Sequence, residues 1–280
     1  MEACLVEIKI LLKGLIMMKK NIRNLAIAGL FSLTPLAVHA APVDLSSWTE
    51  LTLNYPGGQG PGNWVLEPGN TAVEQVINAD PSFFLNNQNL SSYTVDGTWK
   101  VKTSGDDDYM GFVFGYQNSS NFYLFDWKQA SQGYVGRTAT EGMTLKKFEG
   151  ATGDGLVDLS LEEFWENQVD FGDMSVLATN HSSTKGWADN IEYTFHLEYN
   201  LTPGDIHIVI SQGATELWNV TVNDTTFASG QFGFYNNSQS NVRYAGFEVT
   251  PVPEPETYAM LLAGLGLVGF MARRRKAVVA

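Results

Sequence analysis

The 280-residue sequence has a single cysteine, Cys4, and few basic residues. Five of its 17 lysines and arginines lie before residue 24 and four lie in 273–276, so residues 41–256 carry eight basic and 28 acidic side chains. With a net charge of −20, this part of the chain repels nucleic acid and anionic lipid and favours divalent cations. Because it has no cysteine, no disulfide can stabilise it, and its stability must come from the core, aided by a metal ion.

Several catalytic signatures are also absent from the sequence. No Gly-x-Ser-x-Gly motif and no phosphate-binding loop occurs. His181, His196 and His207 do not have the spacing of a zinc site. A glycosidase needs two carboxylates facing a cleft, and the nearest set of glutamates, in 162–166, has helical spacing instead. We therefore predict that the protein is not an enzyme.

The first 40 residues have the pattern of an export signal. Three basic residues within 19–23 precede an apolar stretch at 25–33, and the small-residue site 38–40 follows. We predict that 1–40 combines an N-terminal extension with a signal peptide, that the protein is exported across the inner membrane, and that the mature chain begins near Ala41.

Residues 251–280 form a three-part pattern: a Pro-Glu-Pro motif, sixteen uncharged residues at 257–272, and a basic cluster. A helix of that length spans roughly 24 Å at about 1.5 Å per residue, short of the ~30 Å hydrocarbon core. It would therefore cross a membrane with its flanking residues reaching to the interface and the basic cluster in the cytoplasm. The residues that define the pattern are Pro253, Glu254, Pro255, Arg273, Arg274 and Arg275.

This pattern closely resembles the PEP-CTERM sorting signal of Gram-negative bacteria. The resemblance implies a processing partner, the membrane enzyme exosortase, which cuts at or near the Pro-Glu-Pro motif. It also implies that the C-terminal transmembrane helix anchors the protein only transiently before the protein reaches the cell surface or extracellular matrix. The other interpretation is an ordinary C-terminal anchor.

The stretch 105–129 predicts a β-hairpin on which the rest of the fold is built. Alternate residues such as Phe112 and Phe114 share one face of its first strand, and 118–120 supply a polar turn. Because both faces of the hairpin are largely apolar or glycine, we expect it inside a sandwich rather than at an edge.

Many other short alternating segments are separated by Gly, Pro and Asn turns, and no βαβ rhythm is present. We therefore predict that 41–250 form an all-β fold, an antiparallel β-sandwich of jelly-roll type. The region 150–184 is the least sandwich-like, with a helical turn that directs Leu161, Phe164 and Trp165 inward. The other predicted strands are 51–55, 64–66, 71–78, 92–103, 143–148, 191–199, 206–210, 217–222, 231–235 and 242–249.

With these segments in view, the sequence resembles the C-terminal domain of thrombospondins, a jelly roll related to concanavalin and the L-type lectins. The resemblance covers about 63–249 and rests above all on 106–117, an Asp-Asp-Asp-Tyr run followed by Gly-Phe-Val-Phe-Gly-Tyr-Gln. The family's cysteines and its preceding calcium-binding repeats are absent, so the resemblance supports the fold far more than any animal adhesion function. The other matching segments are 64–66, 76–81, 122–123, 127–129 and 186–187.

The three consecutive aspartates Asp106, Asp107 and Asp108 are the best candidate for a metal site. Carboxylates this close repel one another, and oxygen ligands suit calcium, which takes six to eight of them. Asn78 and Asp80 could add ligands if their loop lies beside the aspartates. The resemblance also implies calcium, since thrombospondin-like domains bind it; the other interpretation is a solvated acidic turn.

Aromatic residues at or near loops could serve as platforms for sugars, because an aromatic ring stacks on the apolar face of a pyranose. The candidates are Tyr134, Trp165, Trp187 and Tyr235. Asp126 stands in an otherwise apolar strand, so we expect it to pair with Lys128 or Arg243 or to line a concave face.

The sequence thus predicts an exported surface or matrix protein that binds exopolysaccharide or another matrix component, with calcium stabilising its loops. The alternative is a structural matrix protein without a specific ligand. A jelly-roll hydrolase that degrades polysaccharide is the third possibility.

Overall fold

The computed structural model describes residues 43–252 and 260–268. The predicted signal peptide, the Pro-Glu-Pro motif and the arginine cluster lie outside these residues. Residues 260–268 are helical, within the C-terminal helix that the sequence predicts. Among the described residues, no helix combines the length and the apolar character needed to cross a membrane.

Sixteen strands make up almost all of the regular structure of the described residues. They form two seven-stranded antiparallel sheets and one two-stranded ribbon, β8–β9. The strands are β1 Thr49–Thr52, β2 Trp64–Leu66, β3 Ala72–Gln75, β4 Ser82–Leu85, β5 Tyr93–Val101, β6 Tyr109–Asn118, β7 Asn121–Lys128, β8 Gln132–Tyr134, β9 Arg137–Ala139, β10 Gly142–Glu149, β11 Met174–His181, β12 Tyr193–Tyr199, β13 Asp205–Gln212, β14 Thr215–Asn223, β15 Gln231–Asn237 and β16 Val242–Pro251.

Sheet A has the strand order β1-β4-β15-β6-β7-β10-β11, and sheet B has the order β14-β13-β12-β5-β16-β3-β2. A stack of aromatic rings joins the two sheets. Within sheet A, the ring centroids of Phe112 and Phe125 lie 4.8 Å apart. Across to sheet B, the Phe112 ring lies 5.0 Å from that of Phe195, which stacks on Trp99 of the same sheet at 4.8 Å. The prediction of an all-β antiparallel sandwich is confirmed.

A second core covers the outer face of sheet A. Two short helices, α1 Gly155–Asp158 and α2 Leu161–Trp165, lie over this face. Phe164 of α2 is fully buried, and its ring stacks on Phe148 at 4.9 Å. Ser160 and Glu163 form a capping box that satisfies the first amides of α2. The predicted helical turn is therefore present, and we call 150–173 the cover segment.

The hairpin β6–β7 lies at the centre of sheet A, with both faces buried, as the sequence predicts. Its register shifts between Phe114 and Asn118, where Gly115 adopts a φ of +57°. A Cβ at Gly115 would lie 2.7 Å from the hydroxyl of Tyr199, so this bulge requires glycine. The bulge sets which residues of β6 and β7 face each other at the far end of the hairpin.

Candidate functional site

The three consecutive aspartates lie directly before β6, at the open end of the central hairpin. We call Asp106, Asp107 and Asp108 the acidic cluster. One carboxylate oxygen from each lies within 4.8 Å of the others. Such an arrangement of oxygens could hold a cation. The neighbouring side chains determine which of these oxygens are already engaged in ion pairs or hydrogen bonds.

Lys128, the last residue of β7, forms ion pairs with two of the three aspartates in the acidic cluster. Its side chain is fully buried, and its ammonium donates to Asp107 Oδ1 at 3.0 Å and to Asp108 Oδ1 at 2.7 Å. It also donates to the carbonyl oxygen of Asp107 at 2.7 Å and to Gln132 Oε1 at 2.9 Å. The Trp165 ring centroid lies 5.1 Å from this ammonium. The Lys128 ammonium therefore engages oxygens of Asp107 and Asp108 that a metal ion could otherwise use.

Sequence reasoning did not assign Lys128 to this site. The register of the hairpin places Lys128 opposite Tyr109, next to the aspartates. Counting back from the turn would have found this pairing only if the bulge at Gly115 had been included. The signal was thus a glycine in a strand, which often marks a bulge.

Asp106 forms the open side of the acidic cluster. Its Oδ2 is buried and has no hydrogen-bond partner among the described residues. Burial, followed by the negative charge of Asp108, raises the pKa of Asp106 to about 6. The Asn78 side chain and the backbone of Ser240 partly offset this through hydrogen bonds. Asp106 is therefore the member of the acidic cluster with which Lys128 forms no ion pair among the described residues.

The structure separates the two other predicted metal ligands. Asn78 contacts Asp106, but the Asp80 carboxylate accepts from the backbone amides of Tyr55 and Gln59, each at 2.9 Å. Asp80 is 2% exposed, and its two hydrogen bonds close the loop 55–59. The expectation that Asp80 joins the metal ligands is therefore corrected, because its carboxylate holds the loop 55–59 and is not among the acids whose oxygens converge in the acidic cluster.

Three of the four predicted ring platforms are buried. Trp165 and Trp187 are 2% exposed and Tyr235 is fully buried, so the expectation that they offer a ring to a sugar is corrected. The physical reason is the second core and the loops that fold over the end of the hairpin. Trp187 Nε1 donates to the carbonyl of Asp108 at 3.1 Å, while Tyr235 packs on Phe83 at 5.5 Å.

Tyr134 is the predicted platform that the structure leaves exposed. Its side chain is 39% exposed at the tip of the β8–β9 ribbon. The ring packs edge-on against Trp165 at 5.0 Å, and Trp165 Nε1 donates to the carbonyl of Gln132 at 3.2 Å. Since Gln132 also contacts Lys128, the structure brings Tyr134 close to the acidic cluster through this ribbon.

Asp126 pairs with a residue that the sequence did not indicate. Its Oδ2 lies 2.7 Å from Lys146 Nζ, and both side chains are fully buried in the second core. The expected partners are engaged elsewhere: Lys128 at the acidic cluster and Arg243 with Glu67 at 2.6 Å. Asp126 is therefore part of a structural ion pair.

The glutamates in 162–166 have structural contacts. Glu163 accepts from the Ser160 amide and from the Asp173 amide, each at 2.6 Å. Glu166 lies 3.7 Å from Arg137 and accepts from the Gln168 amide at 2.9 Å. Glu163 thus holds the cover segment together internally, and Glu166 also links it to Arg137 of β9.

Comparison with known proteins identifies the family of this sandwich. The family model described as the thrombospondin C-terminal region matches residues 59–251. This chain belongs to the thrombospondin C-terminal family. The model described as the PEP-CTERM protein-sorting motif matches residues 251–276 of the same thrombospondin-type chain, and this motif indicates export.

Curated relatives of the thrombospondin C-terminal chain are themselves thrombospondins. Thrombospondin-2 of Gallus gallus is 33% identical over 189 residues, which are 65% of this chain and 16% of that protein. Thrombospondin-4-B of Danio rerio is 33% identical over 194 residues, 66% of this chain and 20% of the relative. This chain therefore spans at most a fifth of the length of these two relatives.

Solved structures include two sandwiches similar to this thrombospondin C-terminal chain. The carbohydrate-binding module CBM66 from Bacillus subtilis has a TM-score of 0.46 and 15% identity, covering 72% of this chain and 94% of the module. The VIP36 exoplasmic/lumenal domain in its Ca²⁺/Man3GlcNAc-bound form has a TM-score of 0.45 and 10% identity, covering 75% of this chain and 87% of that domain. At these values neither likeness assigns a ligand to this chain.

Proposed function

We propose that this protein is delivered to the cell surface or extracellular matrix, where its sandwich binds exopolysaccharide or another matrix glycan. In this role calcium stabilises the loop that carries the acidic cluster. The sorting motif at 251–276 supports the location. The net charge of −20 across 41–256 supports a partner that is neither nucleic acid nor an anionic membrane.

The observation that carries the glycan proposal is the exposed ring of Tyr134 beside a set of polar groups. Carbohydrate sites combine a flat aromatic surface with a few fixed hydrogen-bonding groups. Trp165 supports the Tyr134 ring from below, and the acidic cluster lies at the base of the same ribbon. A sugar stacked on Tyr134 would therefore have hydrogen-bond acceptors within reach.

Calcium at the acidic cluster is supported by the buried, unpartnered oxygen of Asp106. The carboxylate of Asp106 would hold the ion, Asn78 would orient that carboxylate through the hydrogen bond it donates, and water would complete the oxygen shell. Bound calcium would supply positive charge where Lys128 does not reach. The loop would then be ordered without repulsion between Asp106 and Asp108.

The sorting motif supports an exosortase-type enzyme as processing partner. Cleavage at or near Pro253–Pro255 would separate the sandwich from the apolar helix and the arginines. Until then, the C-terminal helix would anchor the protein in the membrane, and afterwards the protein would be retained on the surface or released.

Binding of the exported protein to a glycan array and to exopolysaccharide extracted from the producing cells tests the proposal. We expect saturable binding in calcium, and about tenfold weaker binding for Tyr134→Ala because the stacking surface is lost. Tyr134→Phe keeps that surface and should bind like the wild type. Val157→Ala, at a position that is 68% exposed on α1, is the matched control for loss of an exposed apolar side chain.

A blank array and no binding to the extract, with the protein folded, would overturn the glycan proposal in favour of a structural matrix role. Release of reducing sugar from matrix extracts would instead indicate a hydrolase. Equal binding by Tyr134→Ala and the wild type would remove Tyr134 from the site.

A further inference from the structure

The outermost strand of sheet A, β11, has no partner strand on one side, since it pairs with β10 alone. Its eight residues, Met174–His181, include no aspartate, glutamate, lysine or arginine. The other edge strands of the two sheets are short, as β1 and β2 are, or contain a charged residue, as β14 does with Glu216. Proteins protect exposed edges with charges or short strands, so β11 is the least protected long edge of the described sandwich.

The chain itself covers the first half of this edge. Phe171 and Met174 exchange backbone hydrogen bonds at 2.9 and 3.0 Å, and the Val176 amide donates to Asp170 Oδ1 at 2.8 Å. Beyond Val176, no hydrogen bond among the described residues reaches the outer side of the backbone at 177–181. At about 3.4 Å per residue, roughly 17 Å of strand edge is therefore open to another strand.

A shallow groove of about 510 Å³ lies along the edge, between residues 168–170 of the cover segment and residues 176–179 of β11. Val169 on the first wall is an apolar side chain that is 57% exposed. Asn180 Nδ2 donates to the carbonyl of Leu217 at 3.1 Å, which holds β11 against sheet B. The open edge is thus fixed in position beside an exposed apolar side chain, as addition of a further strand requires.

Charged residues of opposite sign lie beyond the two ends of β11. Asp173 precedes the strand and Lys185 follows it, each six residues from Thr179. Neither side chain forms an ion pair within the described part of the chain. Antiparallel pairing with an identical strand about Thr179 would bring Asp173 of each copy near Lys185 of the other. Parallel pairing would bring like charges together, so the edge complements itself in one direction only.

We propose that the open edge of β11 pairs antiparallel with the same edge of a second copy of this chain, so that two A sheets join into one. A two-fold axis near Thr179, the exposed residue of β11, makes the contact isologous and stops association at two copies. Backbone groups of 177–181 would form the hydrogen bonds across the axis. Because the contact is small, we expect weak association, with a Kd of roughly 10–100 µM.

Sedimentation velocity of the exported protein, from about 1 to 500 µM, tests this pairing. About 0.3 M NaCl screens the general repulsion between two acidic molecules. We expect monomers at the low end of the range and dimers at the high end. Thr179→Lys should weaken the dimer at least tenfold, because it places two like charges at the axis.

Two control variants separate this effect from a change in strand or in net charge. Thr179→Val keeps a residue that favours strands and should dimerise like the wild type. Thr49→Lys adds the same charge to β1, at the opposite edge of sheet A, and should leave the dimer unchanged.

A charge exchange tests the direction of pairing. Lys185→Glu should weaken the dimer about fivefold, because two acids then approach each other, and addition of Asp173→Lys should restore it. Addition of Glu50→Lys on β1 gives the same net charge and should not restore it.

Hydrogen exchange in the wild type gives a readout that does not depend on folding of a variant. The amides of 177–181 should exchange more slowly as the protein concentration rises, while those of Thr49–Thr52 keep their rates.

Monomers at every concentration would overturn the proposal. So would dimers that Thr179→Lys leaves unchanged, since the contact would then lie elsewhere. Full protection of the amides at 177–181 in the monomer would overturn it too, because another segment of the chain would then cover the edge. Failure of Asp173→Lys to restore the Lys185→Glu dimer would contradict the antiparallel direction. These outcomes are independent of the glycan proposal, because no glycan is present in the measurements.

Discussion

The side chains of Asp126 and Lys146 lie fully buried on the outer face of sheet A, 2.7 Å apart. Burial raises the pKa of Asp126 to about 6 and lowers the pKa of Lys146, because both charges have lost their hydration. Lys146 also donates to the carbonyl of Phe164 at 2.9 Å, so the pair joins sheet A to α2. Its effect on stability depends on both members being present.

Removing one member of this pair should destabilise the protein strongly. We expect Asp126→Leu or Lys146→Met to lower the free energy of unfolding by about 3–5 kcal/mol, since each leaves a buried charge without its partner. The double variant Asp126→Leu/Lys146→Met should cost much less, because it removes both desolvated charges. Urea unfolding of the four proteins measures these differences, and additive effects of the two substitutions would contradict the interpretation.

The sequence predicted that Asp126 pairs with Lys128 or Arg243 or lines a concave face; a pair is present, but its basic member is Lys146. Lys128 follows two residues later on the same face, which made it the natural choice. The actual partner depends on β10 lying beside β7 with Thr144 opposite Asp126, a register that alternation within one strand does not contain. The contact between Lys128 and the acidic cluster was missed for the same kind of reason.

Among the elements, the cover segment connects the second core to the β8–β9 ribbon that carries Tyr134. Phe164 of α2 packs on Phe148 and Phe122 of sheet A, and Trp165 contacts Gln132 and Tyr134 of the β8–β9 ribbon. A single five-residue helix therefore links the second core to the exposed ring proposed for glycan binding.

Truncating the helix side chain that fills the second core should weaken the whole cover segment. We expect Phe164→Ala to lower the free energy of unfolding by about 3–5 kcal/mol, because it leaves a cavity against four aromatic rings. Val157→Ala on the exposed side of α1 should change it by less than about 0.5 kcal/mol. Chemical unfolding measures both, and hydrogen exchange should show the amides of 155–165 losing protection first. Equal stability of the two variants would contradict a packed second core.

Strands that alternate between apolar and polar residues were predictable, as was the doubly buried hairpin β6–β7, whereas several short or irregular strands were not. β5 and β12 alternate cleanly between buried and more exposed residues, and the sequence predicted both. β4 has all four residues buried because β1 and β15 flank it and the two cores cover it. Its Ser-Phe-Phe-Leu run shows no alternation, so it was missed, as were edge strand β11 and the β8–β9 ribbon.

Considered as a whole, the molecule combines a net charge of −20 in 41–256 with no cysteine there. The sequence predicted the sandwich correctly from local patterns, and the metal site at the acidic cluster stays a prediction. It could not show that Trp165, Trp187 and Tyr235 are buried, because the fold of the cover segment and the loops decides their exposure.

Calcium should stabilise the whole domain through Asp106. At 100 times its Kd, a bound ion contributes about 2.7 kcal/mol, which for a domain of this size corresponds to a rise in Tm of roughly 5–10 °C. Asp106→Asn should remove most of this response. Without calcium, the same variant should melt at or above the wild-type Tm, because it removes a half-buried negative charge that Asp108 repels.

Differential scanning calorimetry of the exported protein in calcium, magnesium and chelator distinguishes a specific site from general screening of the acidic surface. Asp173→Asn, which removes an exposed acid from the turn before β11, is the matched control and should keep the full calcium response. If only the negative surface mattered, both variants would respond alike and magnesium would act as well as calcium. A Tm that is the same in calcium and chelator would rule out the calcium site, and only a loss confined to Asp106→Asn supports it.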